Sequence, residues 1–261
     1  MSRINQSMRS SLVGPLVSRL RSGLTVQDLN ALIKSLFSSG EQGALYVPKP
    51  TVNGTQALFQ DAAGTVPVTA DGDPVGLMID QSGNGNHATQ SVSVRRPVYR
   101  TDGVLHWLEF NGNSTYLKTP NSIISTNTVF YSAYQSLATN GAVLGGSSSS
   151  SNQDRWLGER SSGEYVQQFG AIKSFGTHSR NAIVRVDVAT PPNNKIVINS
   201  NAPVELLSGN QFDMRVIGSV YANYIYQFNL DGKVFGIIVV EGSQVSQDAK
   251  QYLANLSGVA L

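Results

Sequence analysis

From about Thr55 onward, apolar residues recur at every second position, and this pattern constrains the fold more than any other feature of the chain. The runs are short, and clusters rich in glycine, asparagine and serine separate them. Short alternating runs without helices between them are typical of β-sandwiches and barrels. The clearest runs are Leu105–Phe110, Thr128–Tyr134, Ala182–Val188, Lys195–Asn199, Phe212–Val220, Tyr224–Phe228 and Val234–Val240. Asp231-Gly232 lies between the last two runs and predicts a hairpin turn.

Charge and cysteine content exclude several classes of protein. Only 14% of the 261 residues are charged, and the net charge of +2 gives no dense basic face of the kind that nucleic-acid binders show. The chain has no cysteine, which excludes disulfides and zinc-thiolate sites. No apolar stretch approaches the roughly 18 residues that a membrane span needs.

Residues 1–44 differ from the rest, because their apolar residues recur at helical spacing. We predict a helical hairpin over Ser10–Arg21 and Val26–Ser38, with Thr25 as an N-cap and Gly40 near a C-cap. Such short helices are marginal alone in water, so their apolar stripe must pack on the chain's own body (the partner helix or the β-domain), on a second copy or on another protein. The predicted assembly residues are Leu12, Leu16, Leu20, Leu29, Leu32, Ile33, Leu36 and Phe37.

The end of the chain returns to helical spacing, which predicts a short C-terminal helix introduced by Ser243 or Ser246. Its apolar positions are Val245, Ala249, Tyr252, Leu253 and Leu256. The predicted domains are therefore a docking or oligomerisation element at residues 1–44 and a β-sandwich at residues 45–261.

Two polar loops stand out within the β region. One is Asp80-Gln81-Ser82-Gly83-Asn84-Gly85-Asn86-His87-Ala88, and the other lies within Leu108-Glu109-Phe110-Asn111-Gly112-Asn113-Ser114-Thr115-Tyr116-Leu117. Gly83 and Gly85 can adopt a positive φ without a Cβ penalty, and the polar side chains can bond their own backbone. Together the loops resemble the signatures of laminin-G/concanavalin-A-like jelly-roll domains, in the version common in tailed-bacteriophage virion proteins. The segments Ala57–Thr69, Asp73–Gly76 and Arg96–Tyr99 and the final strand and helix are similar to the same family.

The resemblance implies a mainly β fold, a concanavalin-A-like jelly-roll β-sandwich with an N-terminal helical hairpin and a short C-terminal helix. It further implies a structural component of a tailed-phage virion, such as a tail fibre, a head fibre or decoration, or a collar or baseplate appendage. The expected partners are other virion proteins and copies of the chain itself, with a homotrimer expected by analogy. No nucleic acid and no membrane insertion are expected. The resemblance implies that the protein is located in the virion. Because no signal peptide is recognisable, we expect it to be made in the host bacterial cytoplasm.

The first loop also offers a candidate metal site, formed by the side-chain oxygens of Asp80, Ser82, Asn84 and Asn86. Calcium prefers carboxylate ligands, and acidic residues of the family's second loop are replaced here by amides and hydroxyls. We therefore expect these four residues to build turns and expect no cofactor, with calcium as the alternative.

Glucanases of this superfamily carry their two catalytic carboxylates on an E-x-D-x-x-E strand, and no such spacing occurs among the 17 acidic residues. Glu159 and Glu164 flank a loop, and Asp187 stands alone on a strand. We expect these carboxylates to be solvated and predict that the chain is not an enzyme and has no catalytic residues.

The alternative function is a host-glycan-binding adhesin, and a glycan-degrading enzyme is the weakest of the three hypotheses. Sugar-binding surfaces combine aromatic faces with adaptable hydrogen-bonding groups. The candidate glycan contacts are Trp156, Tyr165, Asn152 and Asp154. The competing interpretation is that the two aromatic rings pack in the core of the sandwich.

Overall fold

The computed structural model describes residues 26–124, 127–138, 140–148, 155–169, 171–177, 179–190, 193–207, 213–222, 225–242 and 244–261. These residues form 22 β-strands, two α-helices and one 3₁₀ turn at Ser93–Arg95. The predicted first helix, with Leu12, Leu16 and Leu20, lies outside the described residues. None of the helices that the structure describes is long and apolar enough to cross a membrane.

The two helices are α1 at Val26–Phe37 and α2 at Gln247–Ser257. The strands are β1 Gly43–Tyr46, β2 Thr51–Val52, β3 Thr55–Gln56, β4 Leu58–Phe59, β5 Leu77–Met78, β6 Ala88–Thr89, β7 Val98–Thr101, β8 His106–Asn111, β9 Leu117–Ile124, β10 Thr128–Ser136, β11 Gly141–Gly145, β12 Ser147–Ser148, β13 Arg155–Glu159, β14 Glu164–Phe169, β15 Ala171–Thr177, β16 Ile183–Ala189, β17 Asn193–Ile198, β18 Val204–Leu207, β19 Asp213–Ile217, β20 Val220–Ala222, β21 Ile225–Gln227 and β22 Asp231–Glu241.

Two large antiparallel sheets form the sandwich, which confirms the predicted fold class. The front sheet has the order β18-β17-β16-β10-β22-β8-β7, with β1 also paired to β22. The back sheet has the order β15-β14-β13-β11-β19-β9-β6-β5-β4. Consecutive strands pair at the edges of both sheets, whereas central pairs such as β10 with β22 and β11 with β19 join strands that are distant in sequence. Such long crossovers are part of a jelly roll.

Strand β16 shows how the front sheet is covered on both faces. Val184, Val186 and Val188 pack in an apolar cluster with the two helices. Ile183 and Ala189 point the other way, into the cluster between the sheets. Because successive side chains of a strand alternate between faces, one short segment contributes to both layers of the core.

Helix α1 packs on the chain's own sandwich, one of the three partners that its amphipathic pattern left open. Leu29 and Leu32 are 5% exposed and Leu36 is 9% exposed, and all three belong to the cluster on the outer face of the front sheet. Ile33 and Phe37 pack against the same cluster. The predicted domain boundary between residues 44 and 45 falls inside β1, whose Gly43 and Tyr46 pair with Val240 and Ile237 of β22.

Helix α2 begins where the sequence predicts. The Ser246 side chain caps the helix by accepting a hydrogen bond from the Ala249 amide, and Gly258 ends it in the left-handed region at φ 70°. The helix lies so close to β22 that a Cβ on Gly236 would stand 2.7 Å from the Leu253 side chain. Glycine at this position therefore permits the close packing of helix and sheet.

The predicted hairpin turn at Asp231-Gly232 is wrong. Both residues lie inside β22, where Gly232 pairs with Phe110 on one side and Ser136 on the other. A Cβ on Gly232 would stand 2.2 Å from the Gln135 carbonyl oxygen. The glycine therefore permits the close approach of two strand backbones. The Asp-Gly pair, which is a common turn sequence, here lies inside a central strand.

We expect Leu32→Ala to lower the free energy of unfolding of the whole chain by about 3 kcal/mol, because it leaves a cavity beneath α1. The exposed Lys34→Ala on the same helix is the matched control and should change stability by less than about 0.5 kcal/mol. Urea unfolding followed by circular dichroism measures both. Equal stability of the two variants would contradict the packing of α1 on the sandwich.

Candidate functional site

The Asp80–Ala88 loop is a network of hydrogen bonds around one carboxylate. Asp80 is 5% exposed. Its Oδ1 accepts from the backbone amides of Leu45 and Ser82, both at 2.9 Å, and its Oδ2 accepts from the Ser82 hydroxyl at 2.9 Å and the Asn86 amide at 3.0 Å. Four donors on one carboxylate fix the turn and tie it to β1.

The two asparagines of this loop complete the attachment to β1. Asn84 Nδ2 donates to the Glu41 and Gly43 carbonyls at 3.1 and 3.2 Å, and Asn86 Nδ2 donates to the Gly43 carbonyl at 2.7 Å. The amide nitrogens thus hold the loop against the start of β1. The part of the chain that the structure describes contains no cluster of three or more histidine, cysteine, aspartate or glutamate side chains able to hold a metal ion. Calcium binding by this loop stays an untested alternative.

The second signature loop is built in the same way around an amide. Asn111 Oδ1 accepts from the amides of Asn113 and Ser114, both at 3.0 Å, and from the Thr115 hydroxyl at 3.1 Å. Gly112 between them adopts φ 70°. An uncharged asparagine therefore supplies the hydrogen-bond acceptor that this turn needs. Its side-chain oxygen bonds the backbone amides of the turn itself.

The two aromatic residues predicted to contact glycan are buried. Trp156 is 2% exposed and stacks on Phe228, with ring centroids 5.4 Å apart, on the outer face of the back sheet. Tyr165 is 6% exposed and lies in the cluster between the sheets. In this conformation neither ring offers a face to a ligand, so their role in binding stays an untested prediction. Asn152 and Asp154 lie outside the described residues.

A polar layer crosses the interior of the sandwich, and sequence reasoning missed it. Arg185 on β16 is fully buried and forms an ion pair with Asp187, through Nε–Oδ2 at 2.7 Å and Nη2–Oδ1 at 3.0 Å. The guanidinium also donates to the Gly158 carbonyl at 3.0 Å and the Val166 carbonyl at 2.6 Å, both in the back sheet. Gln167 adds a donor to Asp187 Oδ1 at 3.0 Å.

Glu159 belongs to the same layer but has fewer partners. The Tyr134 hydroxyl donates to its Oε1 at 2.6 Å, while Oε2 has no hydrogen-bond partner among the described residues. The expectation that Glu159 and Asp187 are solvated is therefore wrong, since both side chains are fully buried between the sheets. The charged face of β16 is covered by the second sheet.

The layer holds two carboxylates and one guanidinium, so its electrostatics favour a proton on one carboxylate. Burial raises the pKa of Glu159 from 4.5 to about 6, against the lowering effects of the Tyr134 hydrogen bond and the Arg185 charge. Burial also raises the pKa of Asp187, opposed by the charge and hydrogen bonds of Arg185. Asp187 accepts three hydrogen bonds and Glu159 accepts one, so protonation is less strongly opposed at Glu159.

An open groove of about 910 Å³ runs along the outer face of the front sheet, between the start of α2, strands β16 and β17 and the turn that follows β17. Its polar lining consists of exposed amide and hydroxyl side chains: Ser200, Asn201, Gln244, Gln247 and Gln251. Apolar side chains also line it, among them Val188, Val197, Val245 and Leu261. Lys195, Lys250 and Asp248 supply the charged groups.

The groove combines the two features that a sugar requires. Amide side chains both donate and accept hydrogen bonds, which matches the hydroxyls of a sugar, and apolar side chains match its C–H faces. Sequence reasoning missed this site. Gln247 and Gln251 stand four positions apart on one helix face, which was a readable signal, but the strand opposite them depends on the tertiary fold.

Comparison with solved structures places the chain among β-sandwich folds. No protein-family model matches it, and no curated protein matches it in sequence. Among solved structures it is similar to a GH54 α-L-arabinofuranosidase variant soaked with 4-nitrophenyl α-L-arabinofuranoside, with a TM-score of 0.58, 12% identity and 86% of this chain covered. An arabinofuranosidase complexed with arabinofuranosyl-α-1,2-xylobiose gives a TM-score of 0.56 at 11% identity, also over 86% of this chain.

The chain spans 64% of the length of both arabinofuranosidases. A weaker likeness, with a TM-score of 0.44 and 11% identity, is to domain 4 of a GH43 extracellular arabinanase from Geobacillus stearothermophilus in complex with arabinotriose, over 68% of this chain and 91% of that domain. At these identities the shared property is the lectin-like β-sandwich fold itself.

The prediction that the chain is not an enzyme is contradicted by these neighbours. Two solved structures that share its fold over 86% of its length are glycoside hydrolases. The sequence argument failed because it treated the carboxylate spacing of one group of glucanases as a requirement for hydrolysis on this fold. Absence of that spacing excludes one arrangement of catalytic carboxylates and no more.

Glu159→Gln should change how stability depends on pH. The folded-state pKa of Glu159 lies above its ordinary value, so the folded chain is more stable when Glu159 is protonated. This contribution to the free energy of unfolding is fully present below pH 4.5 and is lost as the pH rises through about 6. The loss amounts to about 2 kcal/mol. Glu159→Gln keeps an acceptor for Tyr134 but has no charge to bury. Its free energy of unfolding, relative to that of the natural chain, should therefore rise by about 2 kcal/mol between pH 4.5 and pH 7.

Urea unfolding at pH 4.5, 5.5 and 7 measures this difference. Glu164→Gln is the matched control, because the Ser162 hydrogen bond lowers the pKa of that exposed carboxyl and the sign of its effect is therefore opposite. A pH-independent difference between Glu159→Gln and the natural chain would show that folding does not raise the pKa of Glu159.

Proposed function

We propose that this chain binds carbohydrate, in the groove between the start of α2 and strand β17. The observation that carries the proposal is the row of five exposed amide and hydroxyl side chains beside an apolar surface in one groove of about 910 Å³. A site that holds a ligand by a few placed polar groups and an apolar wall is the usual form of a small-molecule site.

The similarity of the fold to that of glycoside hydrolases is a second argument for the proposal. One arabinofuranosidase with a similar fold was soaked with 4-nitrophenyl α-L-arabinofuranoside, and the other is in complex with arabinofuranosyl-α-1,2-xylobiose. Arabinoxylan oligosaccharides are therefore the first neutral probes. They form one part of a panel that also contains bacterial surface glycans, which the adhesin hypothesis requires.

We expect at least one oligosaccharide of the panel to bind saturably to the purified full chain in isothermal titration calorimetry. Asn201→Ala and Gln247→Ala should each weaken that binding by about fivefold, since each removes one hydrogen bond of about 1 kcal/mol. Asn113→Ala is the matched control, because Asn113 follows β8, several strands from the groove. Its affinity should equal that of the natural chain.

The same samples are assayed for reducing ends released from arabinoxylan. Release would make the chain a hydrolase as well as a binder. The absence of binding to every glycan, or binding that both groove variants leave unchanged, would overturn the proposal.

We also propose a finer role, supported by the resemblance of Asp80–Ala88 and Leu108–Leu117 to jelly-roll domains of tailed-phage virion proteins. In this role the chain is a virion component. Copies of it associate as a trimer through the N-terminal leucines, and this arrangement displays the sandwich outward. Since α1 packs on the sandwich, we assign this contact to the predicted assembly residues Leu12, Leu16 and Leu20.

Sedimentation of the full chain tests this association. We expect a trimer that Leu16→Asp plus Leu20→Asp converts to a monomer, because two buried charges per chain cost more than the contact supplies. Ser11→Asp plus Ser18→Asp is the control of equal charge and should remain trimeric. A natural chain that is monomeric at all concentrations would remove the assembly role.

A further inference from the structure

We propose that the sugar bound in the groove carries a carboxylate, and that Lys250 is the residue that recognises it. This inference rests on the proposed glycan binding and names the class of ligand for the same groove. Lys250 lies in the first turn of α2 and lines the groove together with Gln247 and Gln251. It is only 7% exposed, so most of its side chain is held by packing.

Lys250 is unusual because its charge is not matched. Lysine is almost never fully buried unless it is paired. Among the described residues, no ion pair and no hydrogen bond of the Lys250 ammonium group occurs, although Arg100 and Arg185 both have carboxylate partners. An ammonium group that lines an open groove, without a carboxylate partner among the described residues, can pair with an anion that enters from outside.

The other charged side chains that line the groove are Lys195 and Asp248. Lys195 has an interaction partner of its own, so Lys250 is the cation that can serve a ligand. Asp248 and Lys250 are two positions apart on the helix and therefore do not face each other. The groove also lies at the N-terminal end of α2, where the peptide dipoles add partial positive charge.

The remaining lining fits a sugar that bears this anion. An ammonium group acts as a compact point charge and bonds a single carboxylate, and the surrounding amides bond uncharged hydroxyls. A uronic or sialic acid unit presents both groups on one ring. The ligand class is therefore an acidic oligosaccharide whose carboxylate lies at Lys250 and whose hydroxyls lie at Asn201, Gln247 and Gln251.

The test compares each acidic oligosaccharide with its own methyl ester, which keeps the shape and removes the charge. The probes are an α-1,4-galacturonate trisaccharide, a β-1,4-mannuronate trisaccharide and 3′-sialyllactose. With the full chain, at least one acid should bind about ten- to hundredfold more tightly than its ester, the effect of one charge-assisted hydrogen bond. The preference should shrink as salt is added.

Variants assign the effect to the residue. Lys250→Gln and Lys250→Met should bind the acid no better than the ester, and Asp248→Asn should strengthen binding of the acid. Lys118→Gln, an exposed lysine on β9 of the back sheet, makes the same change in net charge and should keep the full preference. Thermal unfolding confirms that each variant is folded, and Lys250→Met keeps the apolar stem in place if Lys250→Gln does not fold.

The outcomes separate this inference from the function on which it rests. If neutral glycans bind and no acid is preferred, the groove is a sugar site and the carboxylate assignment is overturned. A preference for the acid that survives both Lys250 variants also overturns it. If no glycan of either kind binds, the proposed function itself fails.

Discussion

The buried Arg185 guanidinium is the group on which the sandwich depends, because it pairs with Asp187 of its own strand β16 and also donates hydrogen bonds to the back sheet, without access to water. Burying a guanidinium and a carboxylate is costly, and the cost is offset only when every donor finds an acceptor. Here the Gly158 and Val166 carbonyls of the back sheet complete the set. A shift of β16 by one residue would turn Arg185 toward the helices and leave these groups unpaired. The layer therefore selects one register among those that the apolar residues alone would permit.

The same strand that holds the polar layer also positions the groove. Val184, Val186 and Val188 lie on the opposite face of β16 and form part of the surface on which α2 rests. Helix α2 in turn lies against β22, where Gly236 allows its close approach. The start of the helix and strand β17 are thereby held at a fixed separation, and that separation is the width of the groove. The geometry of the groove on the outside of the sandwich therefore depends on the register of β16, which is fixed by contacts inside the sandwich.

The features predictable from sequence are those decided by neighbouring residues. The Ser246 cap, the Gly258 end of α2 and the Asp80 turn follow from local chemistry, and the structure has each of them. Gly232, Glu159 and Asp187 were misjudged because their role depends on which strand lies opposite. In β16 an apolar residue alternates with a charged one, which is the pattern of a strand with one solvated face. Only the tertiary fold reveals that a second sheet covers the charged side, and the groove escapes prediction for the same reason.

The contrast between Arg185 and Lys250 shows how burial separates scaffold from binding site. Both cations are almost fully buried, at 0% and 7% exposure, but Arg185 has carboxylate and carbonyl partners within its own chain. A fully satisfied network rigidifies a core and offers nothing to a ligand. Lys250 stands at an open wall, and its ammonium group has no ion-pair or hydrogen-bond partner among the described residues. A ligand carboxylate can pair with this ammonium group, which is why we place ligand selectivity at Lys250 and not in the more heavily charged interior.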